Sequence, residues 1–215
     1  MKYDFVEIGT ADFKTITQKA RKDTRGLSVD AVKTYLDRLP DKPFHTKIHS
    51  AITHDKKSDH VDVYYIPPSI IKEHGLPHWL GGCNSIGDYH PHHLQKRNLK
   101  GFPLLFLGSD SSETLKKFVK IEKVPLKNYS ELIVENNATD VDFLKIDTEG
   151  HDCTIMSGVY DFYKNNNDFN KPSKILFETN RLSDQQEVKD IKTLFCQFGY
   201  KVEKTTRFDT VLQLI

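Results

Sequence analysis

The stretch Val141–Gly150, VDFLKIDTEG, with His151 and Asp152 behind it, constrains the fold more than any other part of the chain. Phe143, Leu144 and Ile146 form a short, bounded apolar run, the pattern of a strand buried on both faces. Asp147, Glu149 and Asp152 then arrive where a parallel strand hands over to a helix. From there Ile155, Met156, Val159, Phe162 and Tyr163 recur at helical offsets, and Asp152 suits the N-cap. The unit is strand, acidic turn, helix, and in open α/β sheets ligands sit at the carboxyl edge of such strands.

Two corners nearer the amino end have the same build. Tyr3–Ile8 reads as a first strand ending in Glu7-Ile8-Gly9, and Phe13, Ile16 and Ala20 begin a helix directly after it. A glycine there either makes a tight turn or lets a ligand approach the backbone beside free helix N–H groups. Leu27–Val29 is a second strand with Asp30 at its end. Nucleotide-binding βαβ units place an acid about 20 residues beyond the glycine turn, where it accepts hydrogen bonds from ribose hydroxyls. Asp30 equally suits the N-cap of a helix carrying Val32, Tyr35, Leu36 and Leu39.

Phe44–Ile52 and Val61–Ile66 alternate as strands. Residues 67–103 have little periodicity and hold Trp79, Asn84 and Ser85. Such a segment reads as a substrate-side loop, or else as a surface excursion packed on Trp79. His90, His92 and His93, with His74 and His78, invite a metal, but HPHH lacks the i, i+4 placement and reads better as solvated surface. Leu104–Leu107 and Lys117–Val124 are further strand candidates, and Asn128 with Glu131 forms a capping box. Ile175–Phe177 delivers Glu178 and Asn180 to the same edge. Ser183 with Gln186 caps a helix carrying Val188, Ile191, Leu194, Phe195 and Phe198, and Tyr200–Thr205 with Thr210–Leu214 makes a hairpin.

The alternation argues an α/β fold: a mostly parallel sheet with helices on both faces, closed by a C-terminal antiparallel β-hairpin. The pattern never restarts over 215 residues, so a single domain (1–215) is expected. Lysine plus arginine number 31 against 30 acids, which gives no electrostatic case for nucleic acid or an anionic membrane as a general partner. Cys83, Cys153 and Cys196 fit neither a disulfide framework nor a CxxC zinc site, and no apolar run resembles a leader or a membrane span. A reducing, cytoplasmic setting is the expectation.

EIG at the first strand end, Asp30, the VP-x-x-x-Y-S-E-L-I element at Val124–Ile133, the DFLKIDTEGHD core at Asp142–Asp152 and the FE-x-N of Phe177–Asn180 resemble the FkbM family of S-adenosylmethionine-dependent methyltransferases. Gly199-Tyr200 and Asp209-Thr210 fit it too. The resemblance implies a class I, Rossmann-like methyltransferase fold and O-methylation of a hydroxyl on a sugar or small molecule. It assigns Glu7, Gly9 and Thr10 to the methionine portion, Asp30 to the ribose and Ser50 and Ala51 to the adenine side, with Asn84 and Ser85 added as cofactor-binding candidates. Phe13 stands where such turns usually have a second glycine, which leaves room for a cofactor-binding module without catalysis.

Methyl transfer from a sulfonium is an in-line displacement that needs positioning and exclusion of water, and an alcohol needs help losing its proton. Asp147, then His151, then Glu149 are the candidate catalytic groups. Asp147, Glu178 and Asn180 are all oxygen donors, which would suit Mg²⁺ or Ca²⁺, whereas capping alone accounts for Asp152. A zinc hydrolase built on the histidine loop is the third reading.

Overall fold

A computed structural model describes residues 1–11, 15–94 and 115–215. The chain divides into two compact units, one made of residues 1–59 and 125–215, the other of 60–124. In chain order the elements begin β1 (Lys2–Ile8), α1 (Ile16–Lys19), β2 (Gly26–Asp30), α2 (Lys33–Arg38), β3 (His45–His49) and β4 (Ala51–Thr53). Next come β5 (His60–Tyr65), α3 (Pro68–Glu73), β6 (Ser85–Ile86), β7 (Lys120–Asn128), α4 (Tyr129–Glu135) and β8 (Asp140–Ile146). The last are α5 (Asp152–Asn165), β9 (Lys174–Glu178), α6 (Gln185–Gln197), β10 (Tyr200–Thr205) and β11 (Asp209–Leu214).

The first unit is organised by a seven-stranded sheet of order β10-β11-β9-β8-β1-β2-β3. β3, β2, β1, β8 and β9 run parallel, while β11 is antiparallel to both β9 and β10. The sheet is therefore mixed: a parallel body with the antiparallel hairpin added at one edge. Its central strands are apolar because both faces are covered; Val6, Leu27, Val141, Leu144, Ile146 and Ile175 are each 0% exposed. The α5 stripe of Ile155, Met156, Val159, Phe162 and Tyr163 is buried as its period requires, each large side chain contributing roughly 1.5–3 kcal/mol. Tyr129 of α4 packs edge-on against Phe162, and its hydroxyl meets that of Tyr163 at 3.1 Å.

From β1 the chain steps to β2 and β3 in one direction, yet β8 returns on the other side of β1 and β9 continues outward. The crevice at the carboxyl ends of β1 and β8 is the point where strand order reverses. Gly9 sits in it with φ +86°, its N–H on the Val29 carbonyl at 2.9 Å. The Asp147 N–H reaches back to the Ile8 carbonyl at 2.9 Å.

Several boundaries differ from the sequence reading. Phe44–Ile52 is two strands, because Ser50 turns aside: its N–H goes to the Asp30 carbonyl and its hydroxyl to that of Pro125, at 3.1 and 2.9 Å. β3 then joins the large sheet, whereas β4 pairs with the end of β7. Asn128 and Glu131 form the expected capping box. Asp152 is the first residue of α5 and not its cap, a place His151 holds. Asp184, not Ser183, caps α6, accepting from the N–H groups of Gln186 and Glu187 at 2.7 and 3.0 Å. The Leu104–Leu107 strand and Phe13 lie outside the described residues.

In the second unit β5 pairs antiparallel with β6. Its core is Ile66, Ile71, Leu76, Leu80, Cys83 and Leu115, so the packing centres on Leu80 while Trp79 remains 39% exposed. Residues 67–94 thus carry α3, β6 and two 3₁₀ turns that local patterning did not reveal.

A Cβ at Gly9 would stand 1.9 Å from the Asp147 carbonyl oxygen, at a φ that L side chains adopt only with strain. Gly9→Ala is expected to lower stability by about 3 kcal/mol or more in urea unfolding. A loss below about 1 kcal/mol would mean that this corner gives way easily.

Candidate active site

Register creates the first part of the site. Glu7 is paired with Lys145 across the β1–β8 ladder, each of them two residues before its strand's corner residue, Gly9 or Asp147. The Lys145 ammonium consequently lies 3.1 Å from Glu7 Oε1 and 3.2 Å from Asp147 Oδ2. Burial works against the lysine's charge, yet Asp147 and Glu7 together hold its pKa raised. Glu7 is wholly buried, which raises its pKa against the pull of Lys145; its carboxylate also accepts the Ile16 N–H at 3.0 Å, at the start of α1. Glu7 holds the amino-end corner together, and Lys145 is the residue that sequence reading passed over. The matched spacing of Glu7-Ile8-Gly9 and Lys145-Ile146-Asp147 was the available signal.

Asp30 is similarly enclosed. Its Oδ2 accepts from the Thr10 N–H and hydroxyl at 2.6 and 2.8 Å, and its Oδ1 accepts the Val32 N–H at 2.7 Å. Burial raises its pKa, opposed by those donors and by His49. Thr10 thus ties the first corner to the second. Oδ1 has one described donor and capacity for another. Ser50 and Ala51 are buried just past β3, the serine hydroxyl being taken by Pro125 and Ala51 carbonyls.

The third corner is a turn folded around Asp152. That carboxylate, 0% exposed, accepts from the Thr148 hydroxyl at 3.1 Å, from the Gly150 N–H at 3.3 Å and from the Glu178 N–H at 3.2 Å. Burial and the neighbouring Asp147 push it up to about 6. Glu149, at φ +54°, is driven by burial and by Asp147 and Asp152 up to about 8. Glu178 is driven by burial, then Glu149, Asp147, Asp152 and Asp209, up to about 9. Asp209 faces Glu178 across the β9–β11 ladder and is raised by burial and Asp147 against Lys145. Asp147 keeps 34% of its side chain exposed, the most open of the described contacts of Lys145. His151 sets Nε2 3.1 Å from the Thr53 hydroxyl, and burial lowers its pKa.

Glu7, Gly9, Thr10, Asp30, Asp147 and Glu149 therefore share one sheet edge. Asn84 and Ser85 belong to the second unit, where the Asn84 amide donates to the Gly81 carbonyl and the Ser85 hydroxyl to that of Asp88. A cavity of about 260 Å³ between the start of α4 and α5, lined by His54, Asn128, Ser130 and Asp161 among others, contains none of the predicted site residues.

Of the Asp147, Glu178 and Asn180 set, the last two are in contact and Asp147 acts electrostatically on Glu178. The Asn180 NH₂ donates to Glu178 Oε1 at 2.5 Å, and its oxygen accepts the Leu182 N–H at 2.7 Å. Among the described residues no group of three or more His, Cys, Asp or Glu side chains is arranged to hold a metal ion. The histidine tract is not solvated surface either: His90 and His93 are 1% and 0% exposed. Backbone N–H groups of His92 and His90 donate to Nδ1 of His90 and His93 respectively, which fixes the proton on Nε2 and removes the lone pair a metal needs. Burial lowers these rings to about 3 and about 4.

The first unit is a mixed α/β unit whose glycine turn, buried acid and acidic turn lie at the carboxyl edge of one sheet, at its topological switch point. The family model of the methyltransferase FkbM domain matches residues 7–202, and the chain belongs to that family of methyltransferases. No curated protein and no solved structure matches the chain.

Lys145→Met would strand Glu7 in the interior and is expected to cost about 3–5 kcal/mol in chemical denaturation. Adding Glu7→Gln should recover most of that loss; no recovery would show that the pair is not coupled. Glu149 and Glu178 bind protons more tightly folded than unfolded, so their stabilising contribution is full below about pH 4.5 and is lost as pH rises towards about 8 and about 9. The melting temperature should fall between pH 5 and pH 9, and Glu178→Gln should flatten that slope.

Proposed function

We propose that the protein is an S-adenosylmethionine-dependent O-methyltransferase with a Rossmann-like class I sheet, acting on a hydroxyl of a sugar or other small-molecule acceptor. What carries the reading is that the glycine corner touches the acidic corner: the Gly9 backbone packs on the Asp147 carbonyl, so a ligand gripped by the first corner ends beside the second. The β1–β2–β3 steps and the β8–β9 step run in opposite directions, and right-handed crossovers then set α1 and α2 opposite α5. An intracellular location accords with three free cysteines.

The residues present fit the cofactor in chemistry. Asp30 Oδ1 retains acceptor capacity for a ribose hydroxyl, and Thr10 holds that carboxylate in place. When bound, S-adenosylmethionine supplies an electrophilic methyl group on a sulfonium. The acceptor hydroxyl must then lose its proton, and we assign Asp147 to take it; its partial exposure and its pairing with Lys145 support that choice. Glu149 already holds a proton at neutral pH, and the neutral His151 ring is engaged with Thr53, which ranks both behind Asp147. No step is assigned to a metal ion. Phe13, the feature that motivated a non-catalytic module, lies outside the described residues and adds nothing to that reading.

Titration with S-adenosylmethionine should show saturable binding. Asp147→Asn should leave affinity within about threefold and lower methyl transfer by about 10²–10⁴, the range for loss of a general base. Absence of cofactor binding by the intact chain would defeat the proposal.

A further inference from the structure

The acidic corner gathers more carboxyl groups than its described surroundings can keep ionised. Asp147, Glu149, Asp152, Glu178 and Asp209 repel one another there, and Lys145 is the cation that acts on Asp147 and Asp209. A second feature is independent of that crowding. Glu178 is 8% exposed, and while its Oε1 accepts from Asn180, its Oε2 is buried without a hydrogen-bond partner among the described residues. Buried carboxylate oxygens are normally satisfied, so an orphaned one among acids is an acceptor open to a further partner.

The occupant can be narrowed by what the oxygens already do. All the Asp152 acceptor positions described face backbone or threonine donors, and the Asn180 oxygen is taken by Leu182. Among the described residues no three of these carboxylates are grouped to hold a metal ion. A diffuse organic cation needs only the field. We propose that the corner is a binding site for a singly charged onium or ammonium group, which it takes up in exchange for a proton. The proposal rests on the methyl-transfer reading, since a sulfonium is one source of such a charge; a protonated amine on the acceptor is the other.

The exchange balances simply. A carboxyl O–H of Glu149 or Glu178 ionises as the cation enters, the proton leaves to solvent, and the carboxylate faces the positive charge. These two groups hold protons at neutral pH, so the exchange operates there and ceases once both are ionised above about pH 9. A neutral thioether offers no such exchange, so the corner holds the spent cofactor less tightly than the charged one.

Isothermal titration calorimetry of the intact chain at pH 7, in buffers of different ionisation enthalpy, tests this with S-adenosylmethionine, S-adenosylhomocysteine and the amine analogue in which C–NH₃⁺ replaces the sulfonium. The charged ligands are expected to bind about tenfold tighter than the thioether and to release protons. Glu178→Gln should reduce the preference to less than about threefold, and Glu149→Gln serves if that variant unfolds. Proton release by S-adenosylmethionine alone assigns the charge to the sulfonium; release seen only when 2-aminoethanol is titrated into thioether-saturated protein assigns it to the acceptor. Equal affinities without proton release, from the three ligands and from 2-aminoethanol alike, would overturn the inference while leaving methyl transfer standing, whereas failure of all three ligands to bind would defeat the reading beneath it. Proton release by Mg²⁺ or Ca²⁺ alone, with no charge preference among the ligands, would overturn it in favour of a metal.

Discussion

Everything at this sheet edge depends on how closely β1 and β8 approach at their carboxyl ends. The Asp147 N–H bonds to the Ile8 carbonyl, and the next carbonyl, that of Asp147, occupies the space where any side chain at position 9 would be. Glycine is needed there twice over, for its positive φ and for the missing Cβ. The contact fixes the distance between a turn that can present N–H groups and a turn that presents carboxylates. Lys145 then becomes necessary, because closing the strands buries Glu7 and brings Asp147 near it. A buried acid can be kept only with donors and a counter-charge, and Ile16 and Lys145 supply them.

That dependence explains which parts of the fold could be read from the chain. Corners made within one strand–turn–helix unit were legible: the run before Asp147, the helical stripe from Ile155 to Tyr163 and the Asn128–Glu131 box each announce themselves within a few residues. What failed needed partners distant in sequence. The break at Ser50 is enforced by Asp30 and Pro125, and nothing within Phe44–Ile52 records it. Lys145 resembles an ordinary alternating lysine until register sets it opposite Glu7, a fact about two strands and not about either. The burial of His90 and His93 goes with ring contacts among Tyr89, His90, His92 and His93 that a polar tract does not advertise.

The charge distribution follows from the same closure. In a solvated turn five neighbouring carboxylates would ionise and repel weakly; here burial multiplies the repulsion, and protonation is the relief available to Glu149 and Glu178. Lys145 cannot neutralise the whole group, since it is already shared between Glu7 and Asp147. The preference for a cationic ligand proposed above rests on this crowding of carboxyl groups.

The three carboxylates of the turn divide their tasks by direction. Asp152 points inward and accepts from Thr148, Gly150 and Glu178, so it gives the turn its shape. Glu149 is held at a left-handed φ that a non-glycine residue adopts at a cost, and Gly150 beside it, at φ +99°, packs against Leu182. Strain of that kind persists only where the surroundings over-determine it, and Asp152 is the determinant. Asp147 precedes the strained pair, anchored by its own N–H to β1 and by its carboxylate to Lys145. Its position is consequently set by the sheet and not by the turn, which is the steadiness that the proposed role of general base requires.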